Sequence, residues 1–465
     1  MVTTPLVIGA VDAIANLEVD VEAQPADDQD KVDVPEAKVA EDEIGGDDDV
    51  IIKEEKASVA ITVEPRRSER ISAGVNVPVT KVKKSEWGER DASDAVQGEL
   101  KQLLHEELNA LKPVKSVPPG AVILESHMFV TKKYSATGEY EKTKARLVAD
   151  GRGQDAKLYP DKSSPTLASH SMWIVLAMYA GLSGYLMLKV DVKGAFLETS
   201  MEGGPNMCMG IRKDILRYLL LLYPEYQEYI QDDGSILMLL LKAMYGCVQA
   251  SKLWYTLLTS ILRGRGYAVS ENDPCVWRRV VDGVIYIILI YVDDLLIFGN
   301  QEEMDGLSAL LTASFSAITM TIGQELSYLG MQIEWTPAGF QVSMEYYIEQ
   351  MLKDWPGVIF RTGLGTKDTY KIDGESRLLA EKDRKLFHSA VARVLYLAKH
   401  VRPDALTVVS FLYTRVTVAT EQDQAKLERL LCYFKSTKAQ KYYIRVCGLA
   451  DMQVRMFVDA AFALH

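Results

Sequence analysis

The stretch "GVIYIILIYVDDLLIFGN", residues 283–300, restricts the fold more than any other part of this chain. Nine apolar residues, 284–292, many of them β-branched or aromatic, run into Asp293 and Asp294, and a second apolar run, 295–298, follows. The two runs read as strands of one sheet joined by a turn. An isolated buried carboxylate costs several kcal/mol or is neutralised, so two adjacent ones need a reason. A hairpin turn alone would supply one, but Asp-Asp lacks the glycine that two-residue hairpin turns favour.

A third aspartate suggests another reason. Asp191 sits in "LKVDVKGAFLE", again within a strand-like apolar run. Taken alone it is a polar strand end. If Asp191, Asp293 and Asp294 lie on neighbouring strands of one sheet, their carboxylates can converge on divalent cations. Mg2+ prefers oxygen ligands and keeps several waters, so a few protein carboxylates together with substrate phosphates suffice. Two such ions roughly 3.5–4 Å apart can activate an attacking hydroxyl and stabilise a leaving pyrophosphate in an in-line displacement.

The net charge of −12 looks unfavourable for a polyanionic partner, but its distribution matters more than its sum. Residues 1–60 hold 17 acidic and four basic side chains, −13 net, which leaves residues 61–465 at +1. The acidic segment, with runs such as "EDEIGGDDD" and no aromatic residue, is expected to be disordered. "EPRRSERISAGVNVPVTKVKK" then turns basic and reads as a solvated linker or an arm for nucleic-acid backbone. The five cysteines form no C-x-x-C pair and have no paired histidines nearby, which predicts a reducing compartment and no zinc site. No leader-like segment opens the chain, and no apolar run reaches the roughly 18 residues of a membrane span. A soluble intracellular protein without a membrane partner is expected.

Ordered structure is expected from about Trp87. "DASDAVQGELKQLLHEELNALKPV" predicts an amphipathic helix ending at Pro113. "VILESHMFVTKKY" and "TKARLVADG" predict strands joined through the turn-rich "SATGEYEK", "SMWIVLAMYAGLSG" a buried helix, and "YLMLKVDVKGAFL" a strand. From Tyr346 on the pattern becomes helical, with one long segment broken at Arg402-Pro403-Asp404, and "MQVRMFVDAA" predicts a final strand. Helix and strand patterns mix without a regular βα repeat, so the fold class is α+β.

Tyr291-Val292-Asp293-Asp294 resembles the Y-x-D-D motif of reverse transcriptases, and "VDVKGAFL" resembles their first carboxylate motif in copia-type LTR retrotransposons. "KARLVADGRGQD", "SSPTLASHSMWIVLAMYAG", "LLKAMYGCVQASKLWY", "DPCVWRRV", "LSYLGMQIEW" and "SAVARVLYLAKHVRPDALTVVSFLYTR" resemble segments of that family in the same order, from about Trp87 to the end. The resemblance implies a right-hand polymerase, with fingers and palm in residues 87–345, a helical thumb and connection in 346–445, and a disordered segment in 1–86. Residues 446–465 resemble the start of a ribonuclease H domain, with Asp459 as its first carboxylate.

The resemblance also implies roles for individual residues. Asp191, Asp293 and Asp294 would be the catalytic, metal-binding carboxylates for Mg2+ or Mn2+. Phe196 would lie beneath the nucleotide sugar and exclude a 2′-hydroxyl. Arg146, with Lys144 beside it, would contact the triphosphate, and Gln249 would lie against the sugar. Leu329, Gly330 and Met331 would border the primer 3′ end. Tyr245, Trp254 and Tyr255 are expected to pack the core. The implied partners are an RNA or DNA template with primer, and dNTPs.

Three departures bear on activity. Ser251 replaces a proline usual after Gln-Ala, Thr321-Ile322-Gly323 lacks the lysine usual there, and a single ribonuclease H carboxylate predicts no ribonuclease H activity from this chain. A catalytically weak retroelement remnant that binds nucleic acid or a protein is therefore the rival expectation.

Overall fold

Strands dominate the chain as far as Ser343 and helices dominate beyond it. The computed structural model describes residues 80–445, apart from 106–107, 135–139, 156, 158, 160–163, 203 and 205. The acidic segment, most of the basic linker, part of "SATGEYEK", the expected last strand and Asp459 lie outside the described residues.

The strands are β1 (Thr80–Lys81), β2 (Leu111–Val114), β3 (Val122–Tyr134), β4 (Tyr140–Ala149), β5 (Leu186–Val192), β6 (Met207–Ile211), β7 (Ile236–Leu240), β8 (Ala268–Val269), β9 (Val276–Val281), β10 (Val284–Tyr291), β11 (Asp294–Gly299), β12 (Ile318–Gly323), β13 (Glu325–Tyr328), β14 (Met331–Thr336), β15 (Gly339–Ser343) and β16 (Tyr442–Arg445). The helices are α1 (Arg90–Leu104), α2 (Ser169–Tyr179), α3 (Lys213–Leu222), α4 (Ala250–Gly264), α5 (Gln301–Ser314), α6 (Glu345–Leu352), α7 (Glu381–His400), α8 (Leu406–Thr414) and α9 (Glu421–Ser436). Among the described residues no helix is long and apolar enough to cross a membrane.

These strands form three sheets. The first runs β1-β3-β6-β7-β2 with β4 on β3, the second β12-β5-β11-β10-β9-β8, and the third β13-β14-β15-β16. The mixture of sheets and helices is the α+β class. One hydrophobic core joins the second sheet, the third sheet and the C-terminal helices, so residues 346–445 share it with strands that precede them. A second core lies under the first sheet and α1, and Phe196 packs against both.

Several local expectations are corrected. α1 ends at Leu104, nine residues before Pro113, and Pro113 lies in β2. β2 is an edge strand paired only with β7, where a missing N–H costs no ladder bond on the open side. β16 adds a strand after the helices by pairing with β15, a partner far back in the chain. The strand through Asp191 stops at Val192, and Gly194, with φ 68°, turns the chain into a short 3-10 turn at Ala195–Glu198.

Two buried charge clusters brace this frame. Glu303 on α5, 4% exposed, takes hydrogen bonds from Arg265, Arg279 and Tyr267. Arg402, 1% exposed, forks onto Asp404 at 3.0 and 2.7 Å and stacks against Tyr433 and Phe434. Breaking such a paired charge costs about 3–5 kcal/mol, so the break at Arg402-Pro403-Asp404 is also a clasp.

Candidate active site

β10 and β11 form a two-residue hairpin closed by the Tyr291–Asp294 pair, so the turn residues are Val292 and Asp293. Asp294 is therefore the first strand residue, and the turn falls one position earlier than an Asp-Asp turn would. Val292 carries φ 57°, a left-handed value that a β-branched side chain adopts only under strain. The buried indole of Trp254 on α4 donates to the Val292 carbonyl at 2.6 Å, and the Val192 amide donates to the Asp293 carbonyl at 3.4 Å.

Register brings the carboxylates together. On β11 Asp294 lies directly opposite Asp191 on β5, so both side chains stand on one face. Asp293 follows at the turn. Burial pushes the Asp294 carboxyl up to about 6, with Lys189 opposing the rise and Asp293 and Asp191 adding to it. Burial also raises Asp293, and Asp191 adds to the rise while Arg146 and Lys144 oppose it. The Lys189 ammonium is 3.9 Å from Asp294. On the other side of β5, Thr319 faces Asp191 and Thr321 faces Lys189. β12 thus brings threonines where a lysine was expected, while a lysine stands directly opposite on β5.

Among the described residues, no three or more histidine, cysteine, aspartate or glutamate side chains are gathered tightly enough to hold a metal by themselves. An all-oxygen set of opposed carboxylates, two of them raised by burial despite the cations near them, still fits Mg2+, which binds through one or two carboxylates plus substrate phosphates rather than in a protein cage.

Cations face these carboxylates from the first sheet. β3 and β4 pair Phe129 with Arg146, Thr131 with Lys144 and Lys133 with Lys142, so the three lysines and Arg146 share a face. Burial lowers Lys144 to about 8, with Arg146 and Lys133 adding to the drop, and Lys133 is lowered chiefly by burial. Lys144 and Arg146 act on Asp293, and Lys133 acts on Asp294, so both groups border one space. Glu99 on α1 accepts the Leu147 amide at 2.9 Å and supplies a counter-charge to Lys144 and Arg146. The Arg146 guanidinium lies 5.0 Å over the Tyr245 ring, and its buried Nε has no partner.

Tyr245 completes the group. Its ring lies 5.0 Å from that of Phe196, tilted by 52°, and burial pushes its hydroxyl up to about 12, with Asp293 among the groups adding to the rise. Gly246 allows this placement. Its φ is 93°, and a Cβ there would fall 1.9 Å from the Ala149 carbonyl, while the Ala149 amide donates to the Tyr245 carbonyl at 2.8 Å. Tyr245 is a largely buried, packed ring, and it packs between Phe196 and Arg146, beside the carboxylates.

Gln249, the last residue before α4, is bound within the protein. Its side chain is 9% exposed, accepts from Gln154 at 2.9 Å and reaches the Met201 sulfur at 3.7 Å. Gln154 in turn accepts the Val248 amide at 2.8 Å. Gln249 thus ties the approach to α4 to Met201 of the second core. Trp254 packs in the core as expected, whereas Tyr255 is half-buried outside both cores and donates to the Pro274 carbonyl at 2.6 Å.

Leu329 and Gly330 form the two-residue turn between β13 and β14, with φ 49° and 76°. Leu329 is 4% exposed and Met331 fully buried, so backbone at Gly330 is what this turn offers outward. Tyr396 on α7 donates to the Leu329 carbonyl at 2.8 Å. Lys133 and Lys189 carry no signal of this placement in the sequence, and Tyr245 stands out only by the glycine after it.

Paired carboxylates opposed to a cationic strand face are an arrangement that can hold divalent cations and phosphate groups together. The family model "Reverse transcriptase (RNA-dependent DNA polymerase)" matches residues 113–357, more than half of the chain, and the chain belongs to that family. Its relatives include Pol polyproteins of copia-type transposons. It is 28% identical over 338 residues to the "Retrovirus-related Pol polyprotein from transposon RE1" of Arabidopsis thaliana, covering 70% of this chain and 21% of that one. It is 26% identical over 333 residues to the polyprotein from transposon RE2 of the same plant, with the same coverage of 70% and 21%. To the polyprotein from transposon TNT 1-94 of Nicotiana tabacum it is 28% identical over 269 residues, covering 55% and 19%. The chain thus spans about a fifth of the length of these relatives. Among solved structures it is similar to a foamy viral protease-reverse transcriptase in complex with double-stranded DNA, at TM-score 0.38 and 13% identity, covering 74% of this chain and 48% of that one.

Proposed function

We propose that this chain is an RNA-directed DNA polymerase that extends a primer 3′-hydroxyl with deoxynucleotides. In this reading the first sheet and α1 act as fingers, the second sheet as palm, and the third sheet with the C-terminal helices as thumb and connection. The observation that carries it is the direct pairing of Asp191 with Asp294, beside Asp293, beneath the cationic face of β4.

Asp191, Asp293 and Asp294 are the residues that would hold Mg2+ or Mn2+, whose chemistry here is activation of the attacking hydroxyl and neutralisation of charge on the leaving pyrophosphate. Arg146 and Lys144 bind the triphosphate, with the Arg146 guanidinium seated over the Tyr245 ring. Phe196, backed by Tyr245, gives the sugar a flat wall that a 2′-hydroxyl would strike. The Gly330 backbone lets the primer end approach closely. The primer oxygen forms its bond to the α-phosphorus as the bond to pyrophosphate breaks, and rate comes mainly from positioning and electrostatics.

A second reading, binding of nucleic acid with little turnover, is favoured by one observation: β12 brings Thr319 and Thr321 to the carboxylate face and no lysine. Primer extension on an RNA template with Mg2+ or Mn2+, comparing the chain with Asp293→Asn, decides between them. Extension that the substitution abolishes supports the polymerase. Equal template-primer binding without extension by either protein supports the second reading.

A further inference from the structure

Four non-glycine residues among those described have left-handed backbone: Asn109, Asp282, Val292 and Leu329. Asparagine and aspartate tolerate this conformation because their short side chains bond locally, whereas valine and leucine do not. The two apolar exceptions occupy the two turns on which the proposed site depends. Each is the first residue of a two-residue turn, Val292-Asp293 and Leu329-Gly330. Each also has its carbonyl held by an aromatic donor from a helix, Trp254 at 2.6 Å and Tyr396 at 2.8 Å.

A peptide unit is planar, so fixing the carbonyl of one residue fixes the N–H and Cα of the next. In a two-residue turn the bonded carbonyl belongs to the central peptide, whose half-rotation interconverts the primed turn types. Only the first turn residue is left-handed in the Val292 turn, and both are in the Leu329 turn, so the turns differ in type while sharing the same restraint. Both donors are themselves fixed. Trp254 is 1% exposed with its ring 5.1 Å from Phe315, and Tyr396 lies 4.1 Å from the His400 ring and 5.6 Å from that of Tyr347.

We propose that Trp254 and Tyr396 are positioning residues, each locking the central peptide of one strained turn: Trp254 sets the direction of the Asp293 carboxylate, and Tyr396 sets the outward peptide at Gly330. This rests on the polymerase reading and deepens it. The two donors come from different helices and act on different turns, so their losses differ in kind.

The test uses the full chain with Trp254→Phe and Tyr396→Phe. Trp254→Phe lowers kcat of primer extension by about 10- to 100-fold with KM for dNTP nearly unchanged, the signature of misaligned reacting groups. Tyr396→Phe raises the primer-template dissociation constant about tenfold, the scale of one lost hydrogen bond. Amide hydrogen exchange, read without any activity, quickens at residues 290–295 in the first variant and at 327–332 in the second. If the Phe variant at 254 does not fold, the benzothienyl isostere, with sulfur in place of the indole N–H, keeps the shape and removes only the donor. Unchanged exchange at both turns, or a kcat that survives loss of the Trp254 donor in an extending enzyme, overturns the proposal. Quickened exchange in a chain whose wild type never extends primer overturns the polymerase reading and leaves the two restraints standing.

Discussion

Asp294→Asn should make the folded protein more stable at neutral pH. In the wild type burial, with neighbouring carboxylates, raises Asp294 from 3.8 to about 6 despite Lys189, and its side chain is only 15% exposed. The folded state therefore holds this proton more tightly than the unfolded chain. The associated stability is fully present below pH 3.8 and is lost as pH rises through about 6. At 1.36 kcal/mol per unit, the wild type at pH 7.5 carries a penalty of about 3 kcal/mol, falling to about 1 kcal/mol at pH 4.5. Asparagine has nearly the same shape and no charge to desolvate. Thermal unfolding at pH 7.5 without divalent cations should show the variant melting roughly 4 °C above the wild type, with the gap shrinking at pH 4.5. Added Mg2+ should stabilise the wild type more than the variant, because binding to the folded state alone adds to its stability. A variant less stable than wild type at pH 7.5, or a gap independent of pH, would refute the claim that the carboxylates are clustered at a cost.

Lys144 titrates near 8, so the KM for dNTP should rise between pH 7 and 9 as its charge is lost; Lys144→Arg, which stays charged, should flatten that profile. Phe196→Val opens the wall beside Tyr245, and the ratio of kcat/KM for ribonucleotides to that for deoxynucleotides should rise roughly tenfold to a hundredfold, measured by single-nucleotide incorporation. Gly246→Ala puts a Cβ against the Ala149 carbonyl at a left-handed position, and denaturant unfolding should show a loss of at least about 1–3 kcal/mol.

Much of the fold was legible locally because strand and helix periods, glycines and prolines act over a few residues. The long runs at β3, β10 and β11, the helices α2, α6 and α9, and the break between α7 and α8 fall where the pattern puts them. The expectation for α1 ran too far because Leu108 and Leu111 fit helical spacing, while pairing with β7, more than 120 residues away, makes Leu111–Val114 a strand. β16 is a strand for the same reason.

The candidate site divides along the same line. By itself the sequence determined which carboxylates are available and that two of them interrupt apolar strands, because charge next to buried β structure is costly enough to demand a partner. Tertiary structure alone decided that Asp294 sits opposite Asp191, that Lys189 stands across from Thr321, and that the turn is Val292-Asp293. It also set Tyr245 against Phe196 and bound Gln249 to Gln154, four residues apart in one motif. Register and packing are sums over contacts between distant segments. A one-residue slip would turn every side chain to the other face, and no local pattern encodes that choice.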